Sequence, residues 1–191
     1  EEDRARVEIF ARHLAPLADR LLARRRQVEG GGPTPAVRDT VRLQGIVGRS
    51  PALATLLGQV ALVAPLDVSV LLTGDSGTGK GQLARAIHDN GPRATGPFVE
   101  LNCATLPEAP VESELFGALP GAHSTPTRRV EGKVAAAGPG ALFLDEISDL
   151  TLPAQAKLLQ LLQSKQYFPL AGTRPLSADI RLIAATNTDL L

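Results

Sequence analysis

The chain has 191 residues with 43% hydrophobic content, enough to bury one full core, and its formal net charge is zero. With a single tyrosine, no tryptophan and no long basic run, it offers neither a field nor stacking platforms for nucleic acid. Cys103 is the lone cysteine, which excludes an internal disulfide. No apolar run is long enough to cross a bilayer and no signal-peptide pattern is present, so a cytoplasmic protein without membrane contact is expected.

In chain order, residues 1–29 read as a helical extension. Val7, Phe10, Leu14, Leu17 and Leu21 recur at alternating intervals of three and four. Such a stripe is either a coiled-coil signalling helix that pairs subunits or the inner face of a helix packed on a preceding domain. Packing is favoured, because the stripe covers barely two heptads and Pro16 kinks or breaks it. Arg24, Arg25 and Arg26 meet the partial negative charge of a helix C-terminus and read as solvated. Gly30-Gly31-Gly32-Pro33-Thr34-Pro35 then ends the helix and marks a linker over 30–42.

Residues 43–191 alternate between helix and strand signals. Helix is expected over 51–63, strand over 68–73, helix over 81–89, strand over 98–101 and helix over 111–116. A strand ending at Asp145, a leucine-rich helix over 153–164 and a strand over 181–186 follow. Alternation of this kind predicts an α/β fold, a mainly parallel sheet with helices on both faces and a ligand at the carboxyl ends of the strands.

The strand over 68–73 runs into Gly74-Asp75-Ser76-Gly77-Thr78-Gly79-Lys80. A loop this short wraps a phosphate chain only if its backbone N–H groups point inward, which requires glycine where φ must be positive. Lys80 adds a positive charge, and the helix that follows offers its N-terminus to the anion. The spacing Gly-x4-Gly-Lys after a strand is therefore read as nucleotide binding. The usual Ser or Thr after the lysine is replaced by Gly81, so a metal ion must find its protein ligand elsewhere. No Gly-x-Gly-x-x-Gly passes through the loop, and Ser76 lacks the second glycine of a nucleophile elbow, so dinucleotide binding and serine hydrolysis are poor readings.

The missing metal ligand is supplied by Ala141-Leu142-Phe143-Leu144-Asp145-Glu146, an apolar strand finishing in two carboxylates. Successive strand side chains point to opposite sides, so the pair is expected to divide its work unless the strand has already ended. Asp145 would hold Mg²⁺, directly or through its water, and Glu146 would orient and deprotonate the water that attacks the γ-phosphate of ATP. His13, His88 and His123 share no metal-ligand spacing.

These residues resemble the AAA+ ATPase domain of bacterial enhancer-binding proteins, the NtrC-like activators of sigma-54 RNA polymerase. The likeness starts near Ile46-Val47-Gly48-Arg49-Ser50 and takes in Gly74 to Lys80 and Phe98-Val99-Glu100-Leu101-Asn102-Cys103. It continues through Glu112-Ser113-Glu114-Leu115-Phe116-Gly117, Leu142 to Leu150 and Ala184-Ala185-Thr186-Asn187. It implies an incomplete AAA+ P-loop NTPase over 43–191, using ATP and Mg²⁺. By that resemblance Val47 and Gly48 lie near adenine, and Asn102 is a switch residue that holds Glu146 in check. Thr186 and Asn187 sense the γ-phosphate, while Gly74, Asp75, Ser76, Gly77, Thr78, Gly79, Lys80 and Gly81 line the phosphates. The implied partners are sigma-54 RNA polymerase holoenzyme and further copies in a ring, hexameric in the parent, with DNA bound only through a module absent from this chain.

Two departures shape the expectation. The family usually has Glu after the loop lysine, so Gly81 differs from that pattern too. Its sigma-contacting loop, Gly-Ala-Phe-Thr-Gly-Ala, reads here Gly121-Ala122-His123-Ser124-Thr125-Pro126, with changed size, polarity and backbone freedom. Residues 10–22 are similar to the closing helix of a GAF sensory domain, so the chain is expected to be a fragment. The arginine fingers and helical lid of such ATPases come after position 191, so ATP binding with little turnover is expected. The first reading is an ATPase that remodels sigma-54 RNA polymerase. The alternative is a nucleotide-responsive regulatory module with a degenerate loop and no remodelling.

Overall fold

The computed structural model describes residues 42, 45–46, 50–105, 108–121 and 129–188. The expected helical extension 1–29, the linker up to 41, Val47, Gly48 and positions 122–126 of the variable loop lie outside the described residues. In chain order the elements are α1 (Pro51–Val63), β1 (Val70–Thr73), α2 (Lys80–Asp89), β2 (Phe98–Asn102), α3 (Glu108–Phe116), α4 (Lys133–Ala137) and β3 (Ala141–Asp145). A short 3₁₀ turn (Ile147–Asp149), α5 (Leu152–Ser164), β4 (Gln166–Tyr167), β5 (Leu176–Ser177) and β6 (Arg181–Thr186) complete them.

The main sheet is parallel throughout, in the order β1-β6-β3-β2. Its central strands read as unbroken apolar runs because both of their faces are covered. Ala141 to Leu144 and the whole of β6 are buried. Side-chain alternation divides these residues between two cores. Phe143, Ile183 and Ala185 pack with Val60, Val63, Leu83 and Ile87 of α1 and α2. Leu142, Leu144, Leu182 and Ala184 pack on the other face with Leu115, Phe116, Leu158 and Leu161 of α3 and α5. Each fully buried Leu or Ile adds about 1.5–3 kcal/mol, and the two layers hold the carboxyl ends of β1, β3 and β6 side by side.

Local signals account for the helix starts. Ser50 caps α1, its Oγ accepting the Leu53 N–H at 3.2 Å, and Pro51 stands in the first turn, where its missing N–H costs nothing. α5 likewise has Pro153 in its first turn and ends where Lys165 turns left-handed at φ 56°. The strand expected over 68–73 begins only at Val70. The Val68 carbonyl accepts from Arg181 Nε at 3.2 Å, so a guanidinium takes the place of a ladder bond there. Helix α4, the 3₁₀ turn and the β4–β5 hairpin have no counterpart among the elements expected from the sequence. Among the described residues no helix is long and apolar enough to cross a membrane.

Cys103 follows β2 and sits in the α3/α5 core at 2% exposure, its N–H donating to the Asp145 carbonyl at 2.9 Å. Burial, reinforced by the charges of Asp149 and Asp145, pushes its thiol up to about 12. An inert packing residue follows from both facts. An aromatic disulfide reagent at pH 8 is expected to leave the native thiol unmodified and to titrate it fully in guanidinium. Free-thiol rates in the folded protein would contradict this placement.

Candidate functional site at the carboxyl ends of the strands

The loop between β1 and α2 is tied down at its first residue, where the Gly74 N–H donates to the Thr186 carbonyl of the neighbouring β6 at 3.2 Å. Gly77 and Gly79 have φ of 79° and 87°, left-handed conformations that L side chains rarely adopt, and Gly79 is the N-cap of α2. Thr78 stabilises the turn from inside, its Oγ1 donating to the Asp75 carbonyl at 2.8 Å. Asp75, Ser76, Gly77 and Thr78 are exposed along the loop.

Lys80 opens α2 with only 7% of its surface exposed. Its Nζ donates to the carbonyls of Gly74 at 2.8 Å and Asp75 at 3.1 Å, and stands 3.8 Å from Glu146 Oε1. The other oxygen of Glu146 accepts the Asn187 N–H at 3.0 Å. Three separate strand ends thus converge on one carboxylate and one ammonium. The division of labour between the two acids has a backbone cause. β3 stops at Asp145, and Glu146 takes a left-handed conformation, φ 51° and ψ 54°, that no longer obeys strand alternation. Non-glycine residues rarely occupy that region, and such strain concentrates at functional sites. Asp145 keeps to its own side, its Oδ1 accepting the Glu146 N–H at 3.1 Å.

The remaining expected residues are placed nearby with different engagements. Asn102 pairs in register with Asp145, but its Oδ1 accepts the Ala104 N–H at 3.0 Å, and Glu146 is engaged by Lys80 and Asn187. Thr186 is fully buried and presents its carbonyl to Gly74, while its Oγ1 lies 3.2 Å from Ser148 Oγ. Gly81 is exposed, and a Cβ there would meet only Phe143 Cε1 at 3.8 Å, an ordinary contact, so packing does not impose the missing hydroxyl. Ser148 and Thr188 join the cluster although no spacing in the sequence singled them out. Among the described residues no group of three or more His, Cys, Asp or Glu could hold a metal ion.

The family described as the Sigma-54 interaction domain matches residues 46–191. The Nif-specific regulatory protein of Bradyrhizobium diazoefficiens is 44% identical over 165 residues, 86% of this chain and 28% of its own length. The transcriptional regulatory protein ZraR of Escherichia coli is 48% identical over 157 residues, 82% of this chain and 35% of its own. Among solved structures, NtrX from Brucella abortus in complex with ATP superposes with a TM-score of 0.71 at 33% identity, covering 94% of this chain and 37% of that one. The chain therefore spans between 28% and 37% of the length of these relatives.

Proposed function

The chain belongs to the Sigma-54 interaction domain family, and on that premise we propose that it is an ATP-binding and ATP-hydrolysing transcriptional regulator that acts on sigma-54 RNA polymerase. The observation that carries the reading is the meeting of Lys80, Glu146 and the Asn187 N–H at the mouth of a glycine loop capped by a helix N-terminus. The helix N-terminus at Gly79 and the Lys80 ammonium suit the charge of a triphosphate, and the ATP complex of NtrX supports the same ligand.

Each residue then has a task. The loop amides and Lys80 hold the phosphate chain and offset its negative charge. Glu146, fixed by the Asn187 N–H, holds a water and accepts its proton as the terminal phosphate departs. Asp145 is the protein ligand suited to Mg²⁺, which commonly takes one or two carboxylates and completes its shell with water and phosphate oxygens. When bound, that ion neutralises charge on the phosphates. Asn102 beside Asp145, Thr186 at the end of β6, and Val47 and Gly48 near the base complete the proposed site. Ring assembly, with an arginine supplied by a neighbour, and contact with the polymerase belong to the same proposal.

The test is a calorimetric titration of the chain with ATP and Mg²⁺, where saturable binding is expected and no binding at millimolar nucleotide would end the reading. A second reading, a nucleotide-responsive module without remodelling, is favoured by His123, Ser124, Thr125 and Pro126 in the sigma-contacting loop. Open-complex formation by a longer chain carrying this loop separates the two. Robust activity supports remodelling, and binding without activity supports the module.

A further inference from the structure

We propose that Asn90 is a positioning residue for the nucleotide. Its carboxamide latches Arg42 to the C-terminal end of α2, and so holds the chain that enters the domain against the helix whose other end begins at the phosphate loop. This rests on the nucleotide-binding reading of that loop.

Both polar atoms of the Asn90 side chain are engaged. Its Oδ1 accepts the Arg42 N–H at 2.8 Å, and its Nδ2 donates to the Arg42 carbonyl at 3.0 Å and to the Ala86 carbonyl at 2.8 Å. The amide thus serves both main-chain groups of Arg42, as a neighbouring strand serves a residue in an antiparallel ladder. A flipped amide would set Oδ1 against two carbonyl oxygens, so one orientation is selected. The Ala86 carbonyl also accepts the Asn90 N–H at 3.2 Å, so α2 keeps its cap without the side chain. The two bonds to Arg42 are exposed, and the latch can open without disturbing the core.

Three residues on, the chain meets the other end of α2. Gly45 has φ 79°, and a Cβ there would lie 3.6 Å from Gln82 Nε2. A Cβ on Gly79, the N-cap of α2, would lie 3.4 Å from Gln82 Oε1. The Gln82 carboxamide therefore lies between the entering chain and the phosphate loop. Ile46 packs on the core that holds Leu83, Ala84 and Ile87 of the same helix. Val47 and Gly48, the residues proposed to lie near the base, follow directly in the chain. Arg42 is thus held by Asn90, and Ile46 by the core, before a nucleotide arrives. Order present in the free protein lowers the cost that binding would otherwise carry. The benefit falls at the base end of the ligand, so it is the same for a diphosphate and a triphosphate.

The full chain and its variants are titrated with ATPγS and with ADP in the presence of Mg²⁺, and thermal melting checks the fold. Exchange of the Arg42 amide, followed by NMR, reads the latch itself. Asn90→Ala is expected to speed that exchange about tenfold and to weaken both nucleotides by one common factor of about three to ten, the scale of one hydrogen bond. Asn90→Asp keeps the size but offers oxygen where Nδ2 donates to Arg42 and Ala86, and it weakens both nucleotides as far. Arg42→Pro removes the N–H on the opposite side and reproduces the loss, and Asn90→Ala adds nothing further in that background. If Asn90→Ala fails to fold, Arg42→Pro carries the test. Unchanged Arg42 exchange in Asn90→Ala overturns the proposal, as does faster exchange with both affinities intact. A loss confined to ATPγS overturns it, and so does full affinity in Asn90→Asp, which would leave the side chain a mere filler of space. Each of these outcomes leaves the nucleotide reading standing. A wild-type chain that binds neither nucleotide removes both.

Discussion

Lys80→Ala is expected to weaken ATP binding by at least about a hundredfold while leaving the chain folded. The ammonium is the one cation within the described loop, and a charge-assisted hydrogen bond to phosphate is worth about 1.5–3 kcal/mol before long-range attraction is added. Three kcal/mol is already roughly two orders of magnitude in Kd. The substitution also strips Glu146 of the group 3.8 Å away, leaving a carboxylate near the incoming phosphates with no cation against it. Repulsion from that acid adds to the loss. The double variant Lys80→Ala/Glu146→Gln isolates this part and should regain some of the affinity lost by the single one. Lys80 contributes less to the fold than to the ligand, because its acceptors, the carbonyls of Gly74 and Asp75, are only partly buried. Isothermal calorimetry checks the affinity and thermal melting checks the fold. ATP bound within threefold of wild type by a folded Lys80→Ala protein would sink the phosphate-cradle assignment.

Much of the geometry of this candidate site was legible because it depends on backbone permissions that sequence records directly. Gly77 and Gly79 are required by positive φ, and the Asp145-Glu146 step follows a strand whose apolar run is continuous. The helix and strand assignments around them agree to within three residues at each boundary, since Ser50-Pro51, Pro153 and the apolar runs are local signals. What was not legible has physical causes of two kinds. The Lys133–Ala137 helix and the two-residue strands of the β4–β5 hairpin are too short to repeat their own period, so they exist only through what they pack against. The side-chain partners are the second kind. That Glu146 leans on Lys80 and Asn187, that Asn102 turns to Ala104, and that Ser148 and Thr188 meet depends on which strand ends the parallel order sets side by side. Residues 41 positions apart share one hydrogen bond here, and no spacing rule encodes that.

The same limit hid the residue expected to matter most for stability. Arg181, which reads in sequence as the polar first residue of a strand, is 2% exposed. Its guanidinium donates to the carbonyls of Val63 at 2.9 Å, Ala64 at 2.9 Å and Val68 at 3.2 Å, closing the C-terminal end of α1 onto the amino end of the sheet. Gly91 leaves room for it, since a Cβ there would lie 2.8 Å from Arg181 Nη1 and 2.9 Å from the Ala64 carbonyl. Burial holds its pKa below the ordinary arginine value, with the nearby Asp67 opposing the shift. Replacing a buried charge by an apolar side chain often costs little when both partners of a pair are removed. Here the partners are main-chain carbonyls that remain. Val63 also accepts from the Leu66 N–H, but Ala64 and Val68 lose the donor that serves them. At about 1–3 kcal/mol for each buried unsatisfied acceptor, Arg181→Met should destabilise the fold by about 3–5 kcal/mol. For a chain of this length that is a fall in Tm of roughly 10 °C. Arg93→Met is the comparison, because Arg93 pairs with Asp67 and Asp179 only 2.8 and 2.6 Å away and donates to the Pro139 and Asp179 carbonyls at 3.0 Å, yet those carboxylates are 49% and 73% exposed and the carbonyl contacts are exposed as well. Solvent screens such pairs, so the smaller loss is expected there. Urea unfolding of both variants decides the ranking. A loss below about 1 kcal/mol for Arg181→Met, or a larger one for Arg93→Met, would show that the carbonyl cap is not what holds α1 to the sheet.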